Sequence, residues 1–184
     1  MKKKSNIRDI CMIGLFTAII AILAQISIPL PLGVPLTMQT FAIALAGVIL
    51  GGKRGGLATL IYVLLGAIGV PVFANLSGGF QNIVGPTGGF IISFPIMALL
   101  IGIGADYYHK NKIIFVIMII LGFVVNYTVG VGMFCLVTGS SVSAGLAACV
   151  IPFLITDVIK IVLAPLLGIR IRKFLPAEMV SACA

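Results

Sequence analysis

Asp157 and Lys160 are the residues of this chain best placed to do chemistry. They stand three apart in Ile155-Thr156-Asp157-Val158-Ile159-Lys160 and are the only charged residues in an apolar run over 144–169. On a helix that spacing puts both side chains on one face, within pairing reach. If the run spans a membrane, each ionised group costs about 2.5–3.5 kcal/mol at the helix centre on insertion scales. Two readings account for tolerating that cost. The pair is a structural fastening to a neighbouring helix, or it is a polar site for a small solute entered from water. Intramembrane ionisable residues favour the second.

Other constellations fall short of a chemistry. Residues 47–54 fit GxxxxGK, but Arg54 stands where a phosphate loop needs Ser or Thr, and the stretch ends an apolar helix rather than a strand. His109 is the single histidine and sits in a basic loop, so no Ser–His or Cys–His pair is in view. Asp9, Asp106 and Glu178 lie apart from Asp157, which leaves paired-carboxylate chemistry without a second member. Cys11, Cys135, Cys149 and Cys183 are widely spaced, with no CxxC or Cys/His cluster for a metal. Asn75-Leu76-Ser77 and Asn126-Tyr127-Thr128 match the glycosylation pattern, the second inside a span. An intramembrane enzyme would need a nucleophile–base pair. The expectation is therefore no catalytic residue, no metal and no cofactor.

The elements that must position the pair follow from composition. The 184 residues are 61% hydrophobic and 9% charged, against about 25% charged in soluble domains, and the mean hydropathy is +1.29. This is the profile of an all-α integral membrane protein. At about 20 residues per span, the chain has room for five or six helices and short loops. We read residues 1–184 as a single six-helix membrane domain with spans near 10–28, 36–50, 55–70, 88–105, 113–137 and 144–169. Lys2, Lys3 and Lys4 before an apolar run mimic a signal peptide. The run is longer than a signal core and lacks an A-x-A site, so it reads as an uncleaved first span.

The connections alternate. Lys2, Lys3, Lys4 and Arg8, then Lys53 and Arg54, then Lys110 and Lys112, then Arg170, Arg172 and Lys173 fall on one side of a six-span chain. The intervening loops are uncharged, and Lys160 is the exception. Short basic loops stay cytoplasmic, so both termini are expected inside, and the net charge of +8 sets topology rather than nucleic-acid binding. The long extracellular loop between helices 3 and 4, residues 71–87, is apolar and rich in glycine. Irregular backbone at membrane depth is tolerated where it lines a cavity, so this loop reads as a lid. Phe73, Phe80 and Phe90 in and beside it argue for packing. On the first span Gly14, Ala18 and Ala21 share a face, with Thr17 and Ala24 beside them. Small residues at this spacing let helices approach closely. The face packs within the bundle or docks a separate membrane subunit, and the residues do not separate the two. No duplicated half supports an inverted-repeat transporter.

Gln39 after Pro35-Leu36-Thr37-Met38, Gly51-Gly52-Lys53-Arg54-Gly55, Pro71-Val72-Phe73, Ser77-Gly78-Gly79 and Gly85-Pro86-Thr87-Gly88-Gly89-Phe90 resemble the BioY family, the biotin-binding S components of energy-coupling factor (ECF) transporters. The likeness covers nearly the whole chain, with Phe90 where Tyr is more usual. It implies an S-component bundle, multi-pass in the cytoplasmic membrane of a bacterium. Such a subunit binds biotin from outside with high affinity and joins a transmembrane coupling subunit and two ATPase subunits. It places Gly14 and Ala18 on the face that meets the coupling subunit. Biotin carries a carboxylate, an apolar body and a ureido group, so a binder needs cationic or N–H donors, acceptors and a dry wall between. The expected assignment is Lys160 for the carboxylate and Asp157 for the ureido N–H groups; the alternative is the swapped arrangement, with Lys160 only orienting Asp157. Gln39, Gln81, Asn82, Thr87, Asn126 and Tyr127 are further polar candidates. Gly78, Gly79 and Gly88 would offer close backbone, and Phe73, Phe80 and Phe90 apolar walls. An S component for another vitamin is the alternative. A cationic ligand such as thiamine would call for more intramembrane carboxylates than Asp157.

Overall fold

In hydrocarbon every backbone N–H and C=O must be paired within the chain, so long apolar runs become helices. The computed structural model describes residues 7–29 and 34–175. Lys2, Lys3, Lys4, Glu178 and Cys183, all weighed above, lie outside them. Helix α1 (Ile7–Ala24) is followed by strand β1 (Ser27–Ile28), which pairs antiparallel with β2 (Leu36–Thr37). Then come α2 (Gln39–Leu50), α3 (Gly52–Ala67), a 3₁₀ turn (Ala74–Leu76), the short α4 (Phe80–Val84), α5 (Gly88–Asp106), α6 (Lys112–Thr138), α7 (Val142–Cys149), a second 3₁₀ turn (Ile151–Phe153) and α8 (Leu154–Phe174).

Four helical stretches among the described residues are long and apolar enough to cross a membrane: Ile7–Ala24, Gly88–Asp106, Lys112–Thr138 and Val142–Phe174. At 12 and 16 residues, α2 and α3 are shorter. Most of α2 is buried, which is why it carries apolar residues all round. It meets α5 where Gly47 lies against the Ala98 carbonyl and α3 where Gly55 lies against Gly47, close approaches a side chain would block. Leu136, Ile155, Val158, Ile159 and Leu163 point outward. So broad an apolar exterior suits lipid, not water, and the protein is a multi-pass membrane protein.

Two expectations need correction. The run over 144–169 is not one helix. Pro152 cannot donate a helical N–H and disfavours helix at the residue before it, and the chain takes a 3₁₀ turn over Ile151–Phe153. Asp157 therefore sits in the first turn of α8 rather than at a helix centre. The first helix, expected to reach 28, stops at Ala24, because 27–28 extend to pair with 36–37.

One end of the molecule is fastened by ions. Arg54 pairs with Asp9 at 2.9 Å and Arg172 with Asp106 at 2.5 Å. Asp106 also accepts the Gly52 N–H at 3.2 Å. These contacts gather the starts of α1 and α3 with the ends of α5 and α8.

Candidate functional site

At the opposite end, strand pairing and the helix break together make a cavity. β2 holds Thr37 in extended backbone, so its carbonyl is free of any helix. The 3₁₀ turn sets the start of α8 beside it. A helix start carries partial positive charge, which favours the carboxylate of Asp157 there. The Lys160 ammonium donates to the Thr37 carbonyl at 2.8 Å, to Asp157 Oδ1 at 2.8 Å and to Thr40 Oγ1 at 3.2 Å. An ammonium has three donors, and all three are used. The Tyr127 hydroxyl donates to Asp157 Oδ2. Asp157 is 4% and Lys160 5% exposed. At that burial a lone charge would cost several kcal/mol, and these partners offset that cost.

The cavity measures ≈ 230 Å³ and has a mixed lining. Asp157, Lys160, Thr37, Gln39, Thr40, Asn126 and Tyr127 supply polar groups, and Phe73, Phe90, Ile91, Phe94 and Phe153 supply apolar wall. Asn75, Ser77, Asn82 and Thr87 come from the 71–87 stretch, with Asn75 exposed and so toward the opening. Asn126 spends its amide hydrogens on the Phe90 carbonyl at 3.1 Å and Ser93 Oγ at 2.8 Å, which leaves its carbonyl oxygen for a ligand. Gln39 takes a hydrogen bond from Thr37 Oγ1 at 3.1 Å and donates to the Tyr62 hydroxyl at 2.6 Å. Tyr62 is fully buried and meets Phe73 edge-on, ring centres 5.6 Å apart. Phe90 and Tyr127 make a second edge-on pair at 6.0 Å.

Of the residues singled out in the sequence, Gln39, Phe73, Asn82, Thr87, Phe90, Asn126, Tyr127, Asp157 and Lys160 share this cavity. Gly78, Gly79, Phe80, Gln81 and Gly88 do not line it. Phe80 is 65% exposed at the start of α4. Gln81 turns back to the Gly78 carbonyl at 2.7 Å. Gly79 is needed for its φ of 104°, and Gly78 and Gly88 lie against the backbone of Val70 and Ile83. These glycines close the loop on itself and on its neighbours. Thr37, Thr40, Asn75, Ser77, Cys149 and Phe153 line the cavity without having been expected as ligand contacts. Thr37 acts through its carbonyl, which no residue type encodes, whereas Pro152 was a readable signal for Phe153.

The expected division of labour between Asp157 and Lys160 meets a geometric obstacle. The two groups are in contact at 2.8 Å, so they cannot hold opposite ends of one extended ligand. What the pair offers is an acceptor and a donor side by side.

On α1, Gly14 and Ala18 are exposed and Ala21 half-buried, and nothing lies within 4 Å of where a Gly14 Cβ would be. Thr17 and Ala24 turn inward, and the Thr17 hydroxyl donates to the Ala58 carbonyl of α3 at 3.0 Å. The bundle therefore uses the adjacent side of α1 and leaves Gly14 and Ala18 uncovered.

Residues 1–177 match the model of the BioY family. The chain is 38% identical over 165 residues to a probable biotin transporter BioY of Pyrococcus horikoshii, covering 90% of this chain and 96% of that one. It is 39% identical over 167 residues to the biotin transporter BioY of Thermotoga maritima, with the same two coverages. The fold is similar to a crystal structure of the S-component for biotin from an ECF-type ABC transporter, with a TM-score of 0.85, 26% identity and 98% of each chain covered.

Proposed function

This chain belongs to the BioY family, and from that premise we propose that it binds biotin and carries its uptake as the S component of an ECF-type transporter. The observation that carries the reading is the buried Asp157–Lys160 pair in the wall of the cavity, steadied by Tyr127 and the Thr37 carbonyl.

A cyclic urea presents an N–H donor next to a carbonyl acceptor. The pair presents an acceptor next to a donor. Asp157 uses one contact on each oxygen, so it keeps lone pairs for a ureido N–H. Lys160 reaches the ureido carbonyl by exchanging the longest of its bonds, the one to Thr40. A ligand carboxylate at this spot would face the Asp157 carboxylate at close range, and like charges there disfavour each other. The valerate carboxylate therefore lies toward Asn75, Ser77, Asn82 and Thr87, where water lowers the cost of charge. Phe73, Phe90 and Phe153 enclose the apolar body between.

Six spans with both termini cytoplasmic complete the reading. The basic loops lie inside, and the 71–87 loop and cavity face out. The uncovered Gly14–Ala18 face, with Ala21 beside it, docks the coupling subunit, through which two ATPase subunits act.

Equilibrium binding of the purified protein to a panel of vitamins tests this. Saturable biotin binding with thiamine and riboflavin inert is expected; no saturable biotin binding would sink the proposal. Within the panel, iminobiotin is the sharper probe. Once protonated it puts a cation where the ureido carbonyl was, against Lys160. It should bind about 100-fold more weakly, the loss of a charge-assisted hydrogen bond.

A further inference from the structure

Within the lid, the turn over Phe73–Ser77 brings four of its five residues to the cavity wall, and its backbone is strained. Asn75 and Leu76 both have positive φ, 59° and 54°. The Ser77 N–H closes on the Ala74 carbonyl at 3.3 Å, and the Phe73 N–H on the Ser77 carbonyl at 2.9 Å. This is the pattern of a type I′ turn, for which Asn-Gly is the favoured central pair. Asn75 suits it; Leu76 does not, since a side chain at positive φ is costly. Something outside the turn must hold it.

That something is one side chain just past the end of α1. The Gln25 carboxamide oxygen accepts the Leu76 N–H at 2.9 Å. Its nitrogen lies 3.2 Å from both the Val72 and Phe73 carbonyls, and 3.0 Å from the Ala21 carbonyl of its own helix. Gln25 thus grips the turn at both ends, and it does not line the cavity. Ser27 adds a bond to Asn75 Oδ1 at 2.6 Å.

We infer that Gln25 is a positioning residue that sets how long the ligand stays bound, by clamping the Phe73–Ser77 turn over the cavity. The inference rests on the biotin reading above for its ligand, but the clamp has a readout of its own.

Gln25→Met keeps the length and removes the polar head. It should raise the biotin off-rate about tenfold, the worth of one or two hydrogen bonds, and speed hydrogen exchange at the Leu76 amide by a similar factor. Amides of α3 and α5 should keep their protection. Leu76→Gly added to Gln25→Met should restore most of the residence time, because glycine takes the turn unaided. General loosening of the fold would instead speed exchange in α3 and α5 and would not be rescued by Leu76→Gly. That result, or an unchanged Leu76 amide and off-rate in Gln25→Met, would overturn the inference. If Gln25→Met does not fold, Gln25→Glu serves. It keeps the acceptor for Leu76 but sets a carboxylate against three carbonyls, and the same off-rate increase is expected. Absence of biotin binding to the unmodified protein would refute the earlier reading, while the exchange measurement still judges the clamp.

Discussion

Asp157–Lys160 and Asp106–Arg172 are two carboxylate–cation pairs at opposite ends of one bundle, and they differ in what surrounds them. Around Asp106 the space is filled. Its carboxylate lies where a Gly51 Cβ would be, it accepts the Gly52 N–H, and Arg172 donates onward to the Val48 carbonyl at 3.1 Å. Around Asp157 a cavity opens, with Asp157 and Lys160 both in its lining. The same chemistry is packed among its neighbours in one place and borders a cavity in the other. Packing decides which, because a charged pair acts on a ligand only where space is left beside it.

The comparison breaks most decisively at Lys160. Lys160→Met leaves Asp157 buried with only Tyr127, and stranding a buried charge costs about 3–5 kcal/mol. We expect biotin affinity to fall at least about 100-fold by equilibrium binding, since a bond to a charged group is worth about 1.5–3 kcal/mol. An unchanged affinity would show that the pair is a fastening too. Tyr127→Phe removes the hydroxyl bond and leaves the ring against Phe90. Affinity should fall about tenfold, with assembly unaffected.

The other end should answer in stability instead. Arg172→Met should lower the unfolding midpoint, costing about 1–3 kcal/mol, with biotin affinity within about twofold because the sites are distant. A large affinity loss would mean that the two ends are coupled. Gly51 has a φ of 80° and faces the Asp106 carboxylate. Gly51→Ala should cost about 1 kcal/mol or more, again without moving affinity. The smallest effect on binding belongs to α1. A bulky residue at Ala18 meets no neighbour in the bundle and should leave biotin affinity unchanged. Its test is co-purification with the coupling subunit, which should be lost; normal assembly would count against that face.

Much was legible before any coordinates. The five apolar runs before the last predicted helices close to α1, α2, α3, α5 and α6, because in lipid the backbone has no other way to satisfy itself. Asp157 and Lys160 stood out because charge is rare in such a run. The break at Ile151–Phe153 was also signalled, by Pro152. Gln25 gave no signal: a glutamine at a helix end is ordinary until its neighbours are known. Phe80 misled, because an aromatic in an apolar loop has the same composition whether it faces a cavity or the outside.

The chain by itself determined that this is a membrane bundle and which charged residues would lie within it, since both follow from what single residues cost in hydrocarbon. Only the tertiary structure decided which ion pair borders a cavity, which glycines merely close a loop, and that a carbonyl of Thr37 and a side chain 25 residues into the chain hold the site together. Those roles come from contacts between segments far apart in sequence, and distance in space is not written in residue type.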